Sequence, residues 1–119
     1  MIRLIAVRPR PTAVICGNDL VAVAAIAACR EQGLDVPGDV SITGFGNMEI
    51  ATMQSPTLTT IRSPIAAIGE AAGEQILARI AGEDVPSTVE FEAELVVRES
   101  TGPAPRQART ATNRGTSSG

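Results

Sequence analysis

Histidine, lysine, tyrosine and tryptophan are all missing from this chain of 119 residues. Their absence removes the usual general bases and Schiff-base residues, so neither a Ser-His-Asp nor a Cys-His arrangement can be built. Catalysis is therefore not expected. Only two cysteines occur, Cys16 and Cys29. They are too few for a disulfide framework and lack the partners of a zinc site. Each lies in an apolar segment, where a thiol behaves as a small hydrophobe. No cofactor or metal is implied. Positive charge is also in deficit: 10 basic against 13 acidic residues give a net charge of −3. Nothing resembles the basic stripe that neutralises phosphates, so direct nucleic-acid binding is not expected. No apolar run is long enough to span a membrane, and "MIRLIAVRPRP" is too interrupted by Arg for a signal peptide. The expectation is a cytoplasmic protein with no membrane partner.

What is present is aliphatic. Ala, Val, Ile and Leu dominate an apolar fraction of 44%, with two Phe as the only aromatics. Thr12–Cys16 reads as a strand between Pro11 and Gly17, followed by a helix from Leu20 to about Gln32 with Gly33 as its cap. Val40–Phe45 reads as a second strand. Met48–Met53 reads as a short helix and Leu58–Arg62 as extended chain. Ser63 is placed as an N-cap with Pro64 first in a helix that runs to about Ala81. That helix carries Ile65, Ile68, Ala72, Ile76 and Ile80 on one stripe. "TVEFEAELVVR" alternates, with Val89, Phe91, Ala93 and Leu95 on one face and Glu90, Glu92 and Glu94 on a solvated one. Alternating strands and helices predict an α/β fold with a largely parallel sheet flanked by helices. From residue 103 to 119 the composition turns to Pro, Ala, Arg, Thr, Ser and Gly, as in a disordered tail.

The helix from Leu20 has no polar residue before Arg30. At about 100° per residue its larger side chains point in every direction, which predicts cover on two sides, either by this chain or by a partner subunit. Two polar pairs, Asn18-Asp19 and Gly46-Asn47, each follow the C-terminal end of a predicted strand, where open α/β sheets bind ligands. Asn supplies donors and acceptors and Asp accepts paired hydroxyls, a chemistry suited to a small polar ligand. Locally, Asp19 reads as the cap of the following helix, whereas Asn18 stands open between loop structure and ligand contact. "GFG" at Gly44–Gly46 is not a dinucleotide loop, because Glu49 occupies the third glycine position.

Three stretches together carry a resemblance: "RPTAVICGNDLVAVAAIAACREQGLDVPGDVSITGF", "PTLTTIRSPIAAIGEAAGEQILARIAGE" and "ELVVREST". In order and spacing, from Arg10 to Thr101, they resemble the C-terminal part of the lactose-repressor (LacI/GalR) family of bacterial transcription regulators. The resemblance implies that residues 1–102 are the C-terminal part of an effector domain of the periplasmic-binding-protein type. Such domains hold a sugar or other polar metabolite in a cleft. The implied effector set is Asn18, Asp19, Phe45, Gly46 and Asn47. Family members commonly read "GFDD" or "GYDN" where this chain has "GFGN", so the usual ligand-binding Asp falls on Gly46. The implied homodimer interface comprises Leu20, Val23, Ile26, Ala27, Met53 and Gln54. Operator DNA would be reached only through a helix-turn-helix headpiece not found in this sequence. Exposed apolar surface and open sheet edges are expected of such an N-terminally truncated part. A solute-binding protein of the periplasmic type shares the fold, and a remnant without binding activity is the third reading.

Overall fold

The computed structural model describes residues 1–106. A short helix, α1 (Ile2–Ile5), precedes strand β1 (Ala13–Ile15) and the long helix α2 (Asp19–Glu31). Strand β2 (Ser41–Thr43), a single 3-10 turn (Glu49–Ala51), strand β3 (Thr60–Arg62), helix α3 (Ile65–Ile80) and strand β4 (Glu94–Val96) follow. β1 and β2 are parallel, with Val14 opposite Ile42. A parallel bridge from Thr43 to Thr59 carries the sheet on toward β3, and β3 pairs antiparallel with β4. The α/β architecture with a parallel β-α-β unit is as expected. The strands are shorter than the sequence implies, yet their ladders run on by one bond at each end: Ser41 N–H donates to Thr12 O and Cys16 N–H to Thr43 O.

The core lies between β2, the 3-10 turn and one face of α2. Ile42, Val40 and Leu58 are fully buried, and Ala22, Ala25, Ile26 and Cys29 pack onto them from α2. Small residues on that face let the helix approach the sheet closely. Both thiols sit in this core, where burial pushes their pKa values up and leaves them as inert apolar groups. Ala51 brings the 3-10 turn into the same cluster. Neither Phe joins it; Phe45 and Phe91 are exposed.

Within this chain the helix from Leu20 is covered on one side: Leu20, Val21, Ala24 and Ala27 remain at the surface, which leaves the partner-subunit alternative. Two expectations change. Ser63 is not a hydroxyl cap. Pro64 has ψ 64°, outside the helical range, so it is the boundary residue, and Ser63 supplies only its carbonyl to Ile65 N–H. The alternation over residues 88–98 yields only the three residues of β4, because β3 ends at Arg62 opposite Glu94 and leaves earlier residues no partner strand. α3 forms over the expected span; none of its residues is buried and its isoleucine stripe faces solvent, in line with the exposed apolar surface expected where pairing elements are lacking. Exposed apolar surface was expected; it includes Ile15, at 87% exposure on β1. The tail expected from residue 103 falls mostly on residues 107–119, which lie outside the described residues. No described helix is long and apolar enough to cross a membrane.

Candidate functional site

The parallel β1–β2 pair sends its two C-terminal ends to the same edge, and the two polar pairs follow there. Asn18 terminates the turn after β1 in extended conformation (φ −158°, ψ 172°), and its Oδ1 accepts from Val21 N–H at 2.8 Å. It is therefore the N-cap of α2. This reverses the local reading, in which Asp19 was the cap. Asp19 is the first residue inside the helix, and its side chain turns inward rather than along the helix end.

Asp19 is completely buried. Thr60 donates its hydroxyl to Oδ1, and Met48 N–H donates to Oδ2 at 2.6 Å. The Asp19 N–H in turn donates to Phe45 O at 3.1 Å. A buried carboxylate needs such donors to compensate the water it loses. One side chain thus ties the start of α2 to the loop after β2 and to the start of β3. Asp19 is a strut for the site, with both oxygens committed.

The loop from Gly44 to Met48 is shaped to allow this. Gly44 is buried, and a Cβ there would strike Asp19 Oδ1 and lie 2.9 Å from Leu58 Cδ2. Gly46 has φ 121° and Asn47 φ 49°, the left-handed region that Gly and Asn tolerate best. Gly46 N–H donates to Ile61 O at 2.9 Å and Asn47 N–H to Thr60 Oγ1 at 3.3 Å. Gly46 offers a ligand no side chain. The loop is thereby fastened along its length to β3.

Behind the loop stands Arg98, a half-buried residue just beyond β4. Its Nη2 donates to Asn47 Oδ1 at 2.7 Å and its Nη1 to Leu58 O at 2.9 Å. Neighbouring residues anchor the same segment: Ser100 Oγ donates to Ile42 O at 2.6 Å and accepts from Thr59 N–H at 2.9 Å. Thr60, Arg98 and Gly44 are site-forming residues that the sequence reading did not single out. Arg98 leaves the clearest trace, a basic residue directly after the apolar run "LVV".

The structure therefore brings Asn18, Asp19, Phe45, Gly46 and Asn47 together at one sheet edge. Asn18 and Phe45 are exposed, Gly46 and Asn47 are half-buried, and Asp19 is inaccessible. An apolar groove of about 330 Å³ adjoins them, with Gly17 and Val21, the neighbours of Asn18, in its wall beside Ile15 and Leu4. Of the residues assigned to a dimer face, Leu20, Ala27 and Met53 are exposed and Val23 and Gln54 half-buried. Ile26 is a correction. At 3% exposure it points into the core, because it lies one turn from Ala22 and on the same helix face as Cys29.

Residues 2–101 match the model of the periplasmic binding protein-like domain. The chain is 47% identical over 95 residues to the HTH-type transcriptional regulator MalR of Streptomyces coelicolor, an alignment covering 79% of this chain and 28% of that protein. It thus spans less than a third of the length of this curated relative. Among solved structures, it superposes with a TM-score of 0.78 on a LacI family transcriptional regulator from Bifidobacterium animalis subsp. lactis, at 38% identity, covering 86% of this chain and 38% of that one. A crystal structure of the lac repressor dimer bound to operator and the anti-inducer ONPF matches at a TM-score of 0.70 and 32% identity, covering 76% of this chain and 32% of that one.

Proposed function

Because the chain belongs to the LacI/GalR family of transcription regulators through its periplasmic binding protein-like domain, we propose that it forms the distal part of an effector-sensing, dimerising domain. The observation that carries this reading is the joined edge of β1 and β2. There an exposed Asn18 at the start of α2 and the left-handed Gly46-Asn47 turn share one buried strut, Asp19. Ligands bind at such edges in open α/β folds. A ligand seated across both segments would couple the α2 start to the β2 loop, and it would bias whichever arrangement it contacts better.

The second part of the proposal is a homodimer through the exposed apolar face of α2. Leu20, Val21, Ala24 and Ala27 lie on one side of that helix, and the exposed Met53 follows the 3-10 turn that packs beside it. The lac repressor neighbour is a dimer with an anti-inducer and operator bound, which supports both parts as a reading of this chain. Its effector is a sugar or other polar metabolite, and its transcriptional role runs through DNA-binding elements outside the matched region.

Calorimetry with a panel of sugars and nucleosides tests the sensing role, and a gel-shift assay tests the DNA role. Saturable heat from at least one compound, with no specific operator shift by these 119 residues, is the expected pair of results. A specific shift would overturn the division of labour.

A further inference from the structure

The hydrogen bonds around the candidate site sort its polar groups by kind. Val21 N–H and the Arg98 guanidinium can only donate, so Asn18 and Asn47 must each turn the amide oxygen inward to meet them. What each amide has left is its NH2, which has no partner among the described residues. The side-chain acceptors are each engaged or hidden, the two Asn oxygens by the bonds just described. Both oxygens of Asp19 are engaged and buried, and Thr60 Oγ1 donates to Asp19 while accepting from Asn47 N–H. Gly46 has no side chain to supply another. Arg98 adds a charge: it is half-buried, both of its bonded partners are neutral oxygens, and it takes part in none of the ion pairs among the described residues. Glu49, the exposed carboxylate nearby in sequence, bonds to none of these groups.

We infer that this site takes an oxyanion: a carboxylate or phosphate monoester carried on a small polar metabolite. The inference rests on the effector-site reading above and specifies the ligand class. A neutral polyol needs acceptors for its hydroxyl protons, and the groups that the accessible side chains leave wholly uncommitted are donors. An oxyanion accepts from the Asn18 and Asn47 amides, and its charge compensates the unpaired guanidinium held directly behind Asn47. Arg98 is thus a positioning residue, fixing the Asn47 amide with its donors outward.

The test is titration calorimetry on the full chain with glucose 6-phosphate, galacturonate and glucose at matched ionic strength. It is repeated on two variants that preserve the local structure. Asn47→Asp keeps an acceptor for Arg98 and tolerates positive φ, but removes the NH2 and cancels the charge. Asn18→Ser keeps a cap for α2 and removes the other NH2. Saturable heat from glucose 6-phosphate or galacturonate but not from glucose is expected. Each variant should weaken that binding about tenfold or more with the melting temperature held. The phosphate and carboxylate arms separate the two anion types. Glucose binding as tightly as either anion, or anion affinity unchanged in both variants, overturns the inference and leaves the site reading standing. No saturable heat from any of the three overturns the inference, and none from the panel of sugars and nucleosides either overturns the site reading with it.

Discussion

Asp19 and Gly44 constrain each other. The carboxylate fills the space where any side chain at position 44 would begin, and Leu58 Cδ2 at 2.9 Å and Asp19 Cα at 3.1 Å close the remaining room. Gly44→Ala should therefore destabilise the fold by about 1–3 kcal/mol through overpacking, as read by urea unfolding. Stability within a few tenths of a kcal/mol of the parent would show that Asp19 can move aside. A second residue-scale effect depends on pH. Thr57 donates its backbone N–H and its hydroxyl to Glu99 Oε2, and these bonds hold the Glu99 carboxyl below its ordinary value of 4.5. A lowered folded-state pKa favours the folded state above 4.5, and that contribution disappears as pH falls through the folded value. Melting temperatures measured from about pH 5 to pH 3 should fall less steeply for Glu99→Gln than for the parent chain. Equal slopes would remove Glu99 from the acid response. The sequence made Asn18 and Asp19 stand out, but the local reading put the cap on Asp19 and left Asn18 open. Either can cap a helix, and the choice fell to Thr60, 41 residues away, whose hydroxyl draws Asp19 inward.

At the scale of the element, α2 separates two apolar faces with different uses. Ile26 faces the core and Leu20 faces solvent at 54% exposure. Leu20→Glu should leave the melting temperature nearly unchanged and shift the chain toward monomer on a sizing column, if α2 is the dimer face. Ile26→Glu should unfold the chain outright, because it buries an unpaired carboxylate. A dimer that survives Leu20→Glu would argue for another interface. Helical span was readable here from the unbroken apolar run after Asp19 and from Gly33, but the assignment of faces was not. With Leu, Val, Ile and Ala all around the helix, only contact with Val40 and Ile42 distinguishes inside from outside. The same limit explains β4. Alternation from Val89 to Leu95 describes a chain ready to be a strand, and the length of its partner decided how much of it became one.

Over the whole molecule, the α/β class and the order of its elements followed from the sequence, since turn residues punctuate nearly every apolar segment. Less legible was the polar lacing between the residues after β4 and the first sheet. Glu99 to Thr57, Ser100 to Ile42 and Ser41 to Gly102 join positions 42 to 61 apart, and no local pattern announces them. The β3–β4 pair has a mechanical meaning. Arg62 and Glu94 face each other at one end of the ladder, joined by a 2.8 Å ion pair, and the chain leaves for α3 from that end on both strands. At the other end, Thr59, Thr60 and Arg98 are fastened into the first sheet and the site loop. A load on α3 would stretch the two strands side by side, as struts under tension, instead of peeling them apart one rung at a time. Such a joint resists extension and yields to bending. Displacement of α3 would therefore reach Thr60 and Arg98 as torque, at the two residues that hold the loop of the candidate site.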